Sequence, residues 1–173
     1  MTTNLYLDTE FNGHGGELIS LALAAPDGKH WYGVWPISAP MDPWVKVHVA
    51  PYVGAYYEGA VNIRAGGFFE PTELRSALKD YLLDRSGATI WADWPDDFAH
   101  LMRLMSGPSY TESFMVPCTM QLIQTPDGEP KPEHPHNALS DAIALMKWHQ
   151  ETLLSKTLRA YGYDPEKFRG QHP

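Results

Sequence analysis

The stretch Asn4-Leu5-Tyr6-Leu7-Asp8-Thr9-Glu10-Phe11, followed by the turn signal Asn12-Gly13, decides how the rest of the chain is read. Leu5 and Leu7 alternate around Tyr6, which predicts a strand over residues 4–11. Alternate side chains of a strand share a face, so Asp8 and Glu10 point the same way. On a central, largely buried strand, two like charges are costly unless a cation or a positive partner compensates them. The plainer alternative is that one of the pair merely caps the strand end.

Working outward, strands are predicted over residues 17–25 and 30–35, separated by the turn Pro26-Asp27-Gly28. Three antiparallel strands in a row are the economical arrangement. Residues 37–69 are broken by Pro40, Pro43, Pro51 and Gly66-Gly67, with room for at most a short helix near Trp44 to His48. A helix follows over 70–85: Pro71 sits in its first turn, Leu74, Ala77, Leu78, Tyr81 and Leu82 recur at helical spacing, and Gly87 lies just beyond its end. Ala88 to Ala92 reads as a short buried strand running into Asp93-Trp94-Pro95, a helix start, and that helix carries Asp97, Phe98, Leu101 and Leu104. A further strand is expected over 115–120, a proline-rich loop over 125–135, and a last helix from Asn137 to about Tyr161. The order predicts an α/β sandwich with a mixed central sheet, in one domain spanning residues 1–173 whose last dozen residues fray.

Composition limits the function classes. The 173 residues are 43% hydrophobic and 20% charged, which is ordinary globular composition. With Cys118 as the only cysteine, neither a disulfide framework nor a thiolate zinc site can be built within one chain; Cys118 is expected to be a buried apolar side chain. The opening residues lack a signal-peptide pattern and no run of about 18 apolar residues occurs, so a soluble, cytoplasmic protein with no membrane partner is expected. The net charge of −8 argues against a long-duplex binder, whose affinity would come from Lys and Arg. Acidity is compatible with carboxylates that hold divalent cations, because those ions reverse the sign a phosphate meets.

Two further constellations join the strand pair. In His136-Asn137-Ala138-Leu139-Ser140-Asp141-Ala142 a histidine precedes an aspartate by five residues at the head of the last helix, and Ala138 and Ala142 let that helix press close to the sheet. In Ala92-Asp93-Trp94-Pro95-Asp96-Asp97-Phe98 three acids crowd a helix start, a placement the helix dipole alone favours, as it favours Asp141. The combination carries more than any part. Carboxylates from the first strand, a middle helix and the last helix are what a pair of divalent cations needs to clamp the attacking and leaving oxygens of a phosphodiester, and no Cys or paired-His cluster favours zinc.

Asp8-Thr9-Glu10, a middle acid, and His136 followed by Asp141 resemble the three exonuclease motifs of the DEDDh family of 3′–5′ exonucleases, which share the ribonuclease H-like fold. The runs DTEFNGHGGELISLAL (8–23) and WADWPDDFAHL (91–101) are similar to a group of small bacterial and phage-type 3′–5′ exoribonucleases. The resemblance implies two Mg²⁺ or Mn²⁺ ions, the first on Asp8, Glu10 and Asp141 and the second on Asp8 and the middle acid, with His136 as general base. It implies single-stranded 3′ ends as substrate, RNA rather than DNA, and a homodimer.

One departure stands out. Where the family has an Asn, a few residues, an aromatic and then the Asp, this chain has Asp93, and Asp96 replaces the aromatic. Asp97 matches the spacing into the helix and is the expected ligand; Asp93 then becomes the N-cap, with the ligand role as its alternative. Phe11, Asn12 and Asp93 are the candidate substrate-side residues. Phe11 is equally readable as core, and Gly15-Gly16 with Glu17 as either rim or plain turn. Trp31, Tyr32, Trp35, Tyr56 and Tyr57 read as core or interface, with a nucleotide platform as the alternative, and the scattered Arg64, Arg75, Lys79 and Arg103 mark no basic stripe. Two other functions remain open at this stage, a ribonuclease H or resolvase-type endonuclease and an inactive metal- or partner-binding module.

Overall fold

The computed structural model describes residues 3–53, 71–109, 112–124 and 130–161. Tyr56, Tyr57, Arg64, Gly66-Gly67, part of the 125–135 loop and the last dozen residues lie outside that range. Five strands, β1 (Asn4–Phe11), β2 (Leu18–Ala24), β3 (His30–Val34), β4 (Ala88–Ala92) and β5 (Cys118–Leu122), form one mixed sheet in the order β3-β2-β1-β4-β5. β1 is central, antiparallel to β2 and parallel to β4, and β2 with β3 completes the expected antiparallel trio. The helices are α1 (Pro43–His48), α2 (Pro71–Leu83), α3 (Pro95–Ser106) and α4 (Ala138–Ala160). This is the mixed α/β arrangement the sequence predicts, consistent with a ribonuclease H-like fold.

Alternation along β1 sorts its side chains between two layers. Leu5 and Leu7 join Leu21, Leu23 and Ile90 in the core beneath α2 and α3, with Leu74, Leu78, Leu101 and Met105. The opposite face carries Ala22, Ala24 and Tyr32 against Ala138, Leu139 and Ala142 of α4. Small side chains on both partners let α4 lie close, as the Ala138 and Ala142 spacing predicts, and Asp141 is brought down onto the sheet. A register shift between Glu10 and Phe11 ends the regular pairing of β1 with β2 where the chain turns towards the site.

Two expectations are corrected. β5 starts at Cys118 rather than Met115: Met115 is 74% exposed, and Pro117 has no N–H to give a ladder. Cys118 is half-buried rather than buried because β5 is an edge strand of the sheet. Trp31, Tyr32 and Trp35 are core residues, in keeping with their reading. Arg75 is a structural residue: its guanidinium donates to the carbonyls of Leu104, Met105 and Glu112, closing the exit from α3. No helix among the described residues is long and apolar enough to cross a membrane.

Candidate active site

A cleft of about 1030 Å³ opens at the C-terminal end of β1. Asp8 and Glu10 supply its floor, Asp93 and Asp97 one wall, Asp141 and His136 another, and Trp44 of α1 its rim. Residues 8, 10, 97 and 141, distant in sequence, therefore meet as their types predict. Ligand-capable oxygens of Asp8, Glu10 and Asp141 lie within 4.8 Å of one another, and so do those of Asp8, Asp93 and Asp97. Asp8 belongs to both groups.

Each carboxylate is delivered by a local rule. Asp8 and Glu10 share a face by the two-residue period of β1, while Thr9 between them points to the α3 side. There the Thr9 hydroxyl and N–H both donate to Oδ1 of Asp97, at 2.6 and 3.1 Å. Asp97 is 1% exposed, and its other oxygen, Oδ2, is buried with no hydrogen-bond partner. Asp141 rides the first turn of α4, whose N-cap is Asn137: the Asn137 side chain accepts from Ser140 N–H and donates to the Tyr52 carbonyl at 2.9 Å. Ser140 Oγ in turn accepts from His134 N–H at 2.9 Å, pinning the loop that carries His136.

Crowding like charges shows in the proton affinities. Burial, followed by repulsion from Asp97, Asp141, Glu10 and Asp93, holds the Asp8 carboxyl well above the usual range. Burial and then Asp141 push Glu10 up to about 8, burial pushes Asp97 to about 7 against the pull of Thr9, and burial pushes Asp141 to about 6. The Glu10 and Asp141 carboxyls face each other closely enough to share a proton, which raises the one and lowers the other. Divalent cations fit this donor set: hard oxygen ligands converge, and the buried Asp97 Oδ2 makes no hydrogen bond of normal geometry among the described residues.

His136 sits on the loop before α4 with φ of 64°, a left-handed conformation uncommon for a side-chain-bearing residue. That turn lets its backbone N–H reach the Asp141 carboxylate. Its ring meets Trp44 edge-on at 5.1 Å and His48 at 6.4 Å. Burial and then the neighbouring His48 lower its pKa, which favours the neutral, proton-accepting form.

Other expected site residues divide. Phe11 lines the cleft while stacking on the buried His100 at 5.1 Å, so core and cleft readings both describe it. The Asn12 amide is spent on structure: it donates to the Pro40 carbonyl and accepts from Asp42 N–H, tying the β1 exit to the start of α1. Glu17 accepts from both the N–H and hydroxyl of Ser38 and from Ala39 N–H, fixing the same rim. A side chain on Gly16 would collide with the Asn12 carbonyl, so the glycine is required for that turn. Asp93 is not the N-cap; Trp94 holds that position because Pro95 is the first helical residue, and Asp93 falls one residue before the cap, among the carboxylates. Sequence reasoning did not single out Thr9, Ser140, His14 or the half-exposed Trp44 and Trp94, all of them on or behind the cleft. For Thr9 the signal was present, since the residue between two same-face acids must point to the other layer.

No protein-family model matches the chain. Two curated proteins do: 3′–5′ exoribonucleases of Mycobacterium tuberculosis strains CDC 1551 and H37Rv are each 30% identical to it over 154 residues, covering 79% of this chain and 85% of theirs.

Proposed function

The chain belongs to the family of these mycobacterial 3′–5′ exoribonucleases, and from that premise we propose that it removes nucleotides from the 3′ ends of single-stranded RNA as a member of the DEDDh group. It is a hydrolase of phosphodiester bonds. The observation that carries the finer reading is the sharing of Asp8 between two carboxylate groups. In this reading Asp8, Glu10 and Asp141 hold one Mg²⁺ or Mn²⁺ ion, and Asp8 with Asp97 holds a second. Divalent cations bound there supply positive charge to the attacking and leaving oxygens of the phosphodiester.

The chain's own residues do the rest. His136, kept neutral by its surroundings, accepts the proton of the attacking water, and its backbone N–H steadies Asp141 beside it. Phe11 at the cleft offers a face to the terminal base, a contact of the kind that contributes about 1–3 kcal/mol. A single exonuclease domain over residues 1–173 and a homodimer belong to the same proposal, the first supported by the one sheet that gathers the described strands and the second by family likeness.

The test is digestion of a 5′-labelled single-stranded RNA beside the matching DNA strand. The expected result is a ladder shortening from the 3′ end, faster on RNA, dependent on Mg²⁺ or Mn²⁺ and abolished by chelation. His136→Ala should cut turnover by about 10²–10⁴-fold while metal binding persists. Internal cuts as the primary products would replace this reading with the endonuclease one.

A further inference from the structure

The family pattern and the structure part company at residue 93. The sequence treats Asp93 and Asp97 as rivals, one a ligand and the other a helix cap. The structure removes the cap: Trp94 is the N-cap of α3, and the acids in the helix's first turn are Asp96 and Asp97. Asp93 instead brings a carboxylate within 4.8 Å of both Asp8 and Asp97. Three carboxylates this close repel one another, a repulsion that a cation among them would turn into attraction.

A second observation points to the ligand. Thr9 occupies Oδ1 of Asp97 with two hydrogen bonds, and this fixes the carboxylate's orientation. Oδ2 of the same carboxylate is buried without a partner in a side chain only 1% exposed. A buried acceptor left unmatched in a group so firmly held is the mark of a site built for something the protein chain does not contain.

We propose that Asp93 and Asp97 act together with Asp8 as a three-carboxylate site for the second divalent cation, so that this ion is held by the protein before RNA arrives. This rests on the reading of the cleft as a metal-dependent exonuclease. Ions bound through only one or two carboxylates rely on water and on substrate phosphate to complete their shell, which couples their occupancy to substrate. A third protein carboxylate uncouples it. The extra acid also bears on the chain's acidity, because a preloaded pair of ions presents positive charge to the incoming phosphate.

Titration of the metal-free full-length chain with Mn²⁺ in the absence of RNA, following free Mn²⁺ by electron paramagnetic resonance, decides the matter. The expected result is two ions per chain, and in Asp93→Asn and Asp93→Ser a second ion lost or weakened by at least about tenfold with the first unchanged. Both variants remove a like charge from the cluster, so their metal-free melting temperatures should be no lower than the parent's. Two ions of undiminished affinity in the folded variants, or a parent chain that takes up its second ion only when RNA is added, would overturn the role of Asp93 and leave the exonuclease reading standing. A chain that neither binds Mn²⁺ nor shortens RNA overturns both.

Discussion

The two carboxylate groups that meet at Asp8 are built differently. Glu10 and Asp141 are partly buried at the cleft with their carboxyls facing each other, and backbone N–H groups of Asn137 and His136 temper Asp141. Asp97 is buried in the other group, with one oxygen clamped by Thr9 and one unmatched. The open group can relieve its repulsion by sharing a proton and meeting water. In the other group the two Thr9 bonds orient the Asp97 carboxylate, so its geometry is fixed by the protein in advance. Asp8 is the hinge of the comparison, and Asp8→Asn should do the largest damage: loss of both ions' affinity and a fall in turnover of about 10²–10³-fold or more. A variant that kept either ion at parental affinity would show that the two groups do not depend on the shared carboxylate.

How far the sequence foretold this follows the range of the interactions. Strand β1 was legible to the residue because alternation is a local signal, and so was the pairing of Asp8 with Glu10 on one face. The head of α4 was legible from Asn137, and that of α3 to within one residue from Pro95. What was not legible depended on which residue a turn places inside or outside an element. One position at the α3 start moves Asp93 from cap to carboxylate cluster, and the late start of β5 leaves Cys118 half-buried on an edge. The Asn12 amide could be read as a substrate contact only while its actual partners, 28 and 30 residues away, were unknown. Motif position foretold which acids converge; it carried no information on which of them the backbone would clamp.

Thr9→Val sharpens the contrast by touching the buried group alone. The change keeps the side chain's shape and the N–H bond to Asp97 but deletes the 2.6 Å hydroxyl bond. Loss of an orienting partner behind a metal ligand typically costs about 10–100-fold in affinity. The second Mn²⁺ should weaken over that range while the ion on Asp8, Glu10 and Asp141 is unmoved, as read by the same titration. Equal weakening of both ions would mean that Thr9 shapes the whole of β1 rather than one carboxylate.

The smallest expected effect is on stability, and its sign follows from the raised carboxyls. Asp141, Asp97 and Glu10, pushed to about 6, 7 and 8, each hold a proton more tightly in the folded chain than in the unfolded one. Between the ordinary carboxylate range near about 4 and the folded values, the native state binds more protons, and stability therefore falls as pH rises. The penalty is absent below the unfolded pKa values and complete above about 8. Metal-free protein should melt highest near the acid end of that window and lower by several degrees at its alkaline end, since about 1 kcal/mol corresponds to roughly 2–4 °C in a domain of this size. Mn²⁺ should raise the melting temperature strongly at the alkaline end, where the carboxylates are free to ligate, and little at the acid end, where protons already hold the sites. In Thr9→Val the slope of the metal-free protein should steepen, because Asp97 loses the bond that favours its charged form. A melting temperature flat across the window would mean that the cluster carries no strain for a cation to relieve.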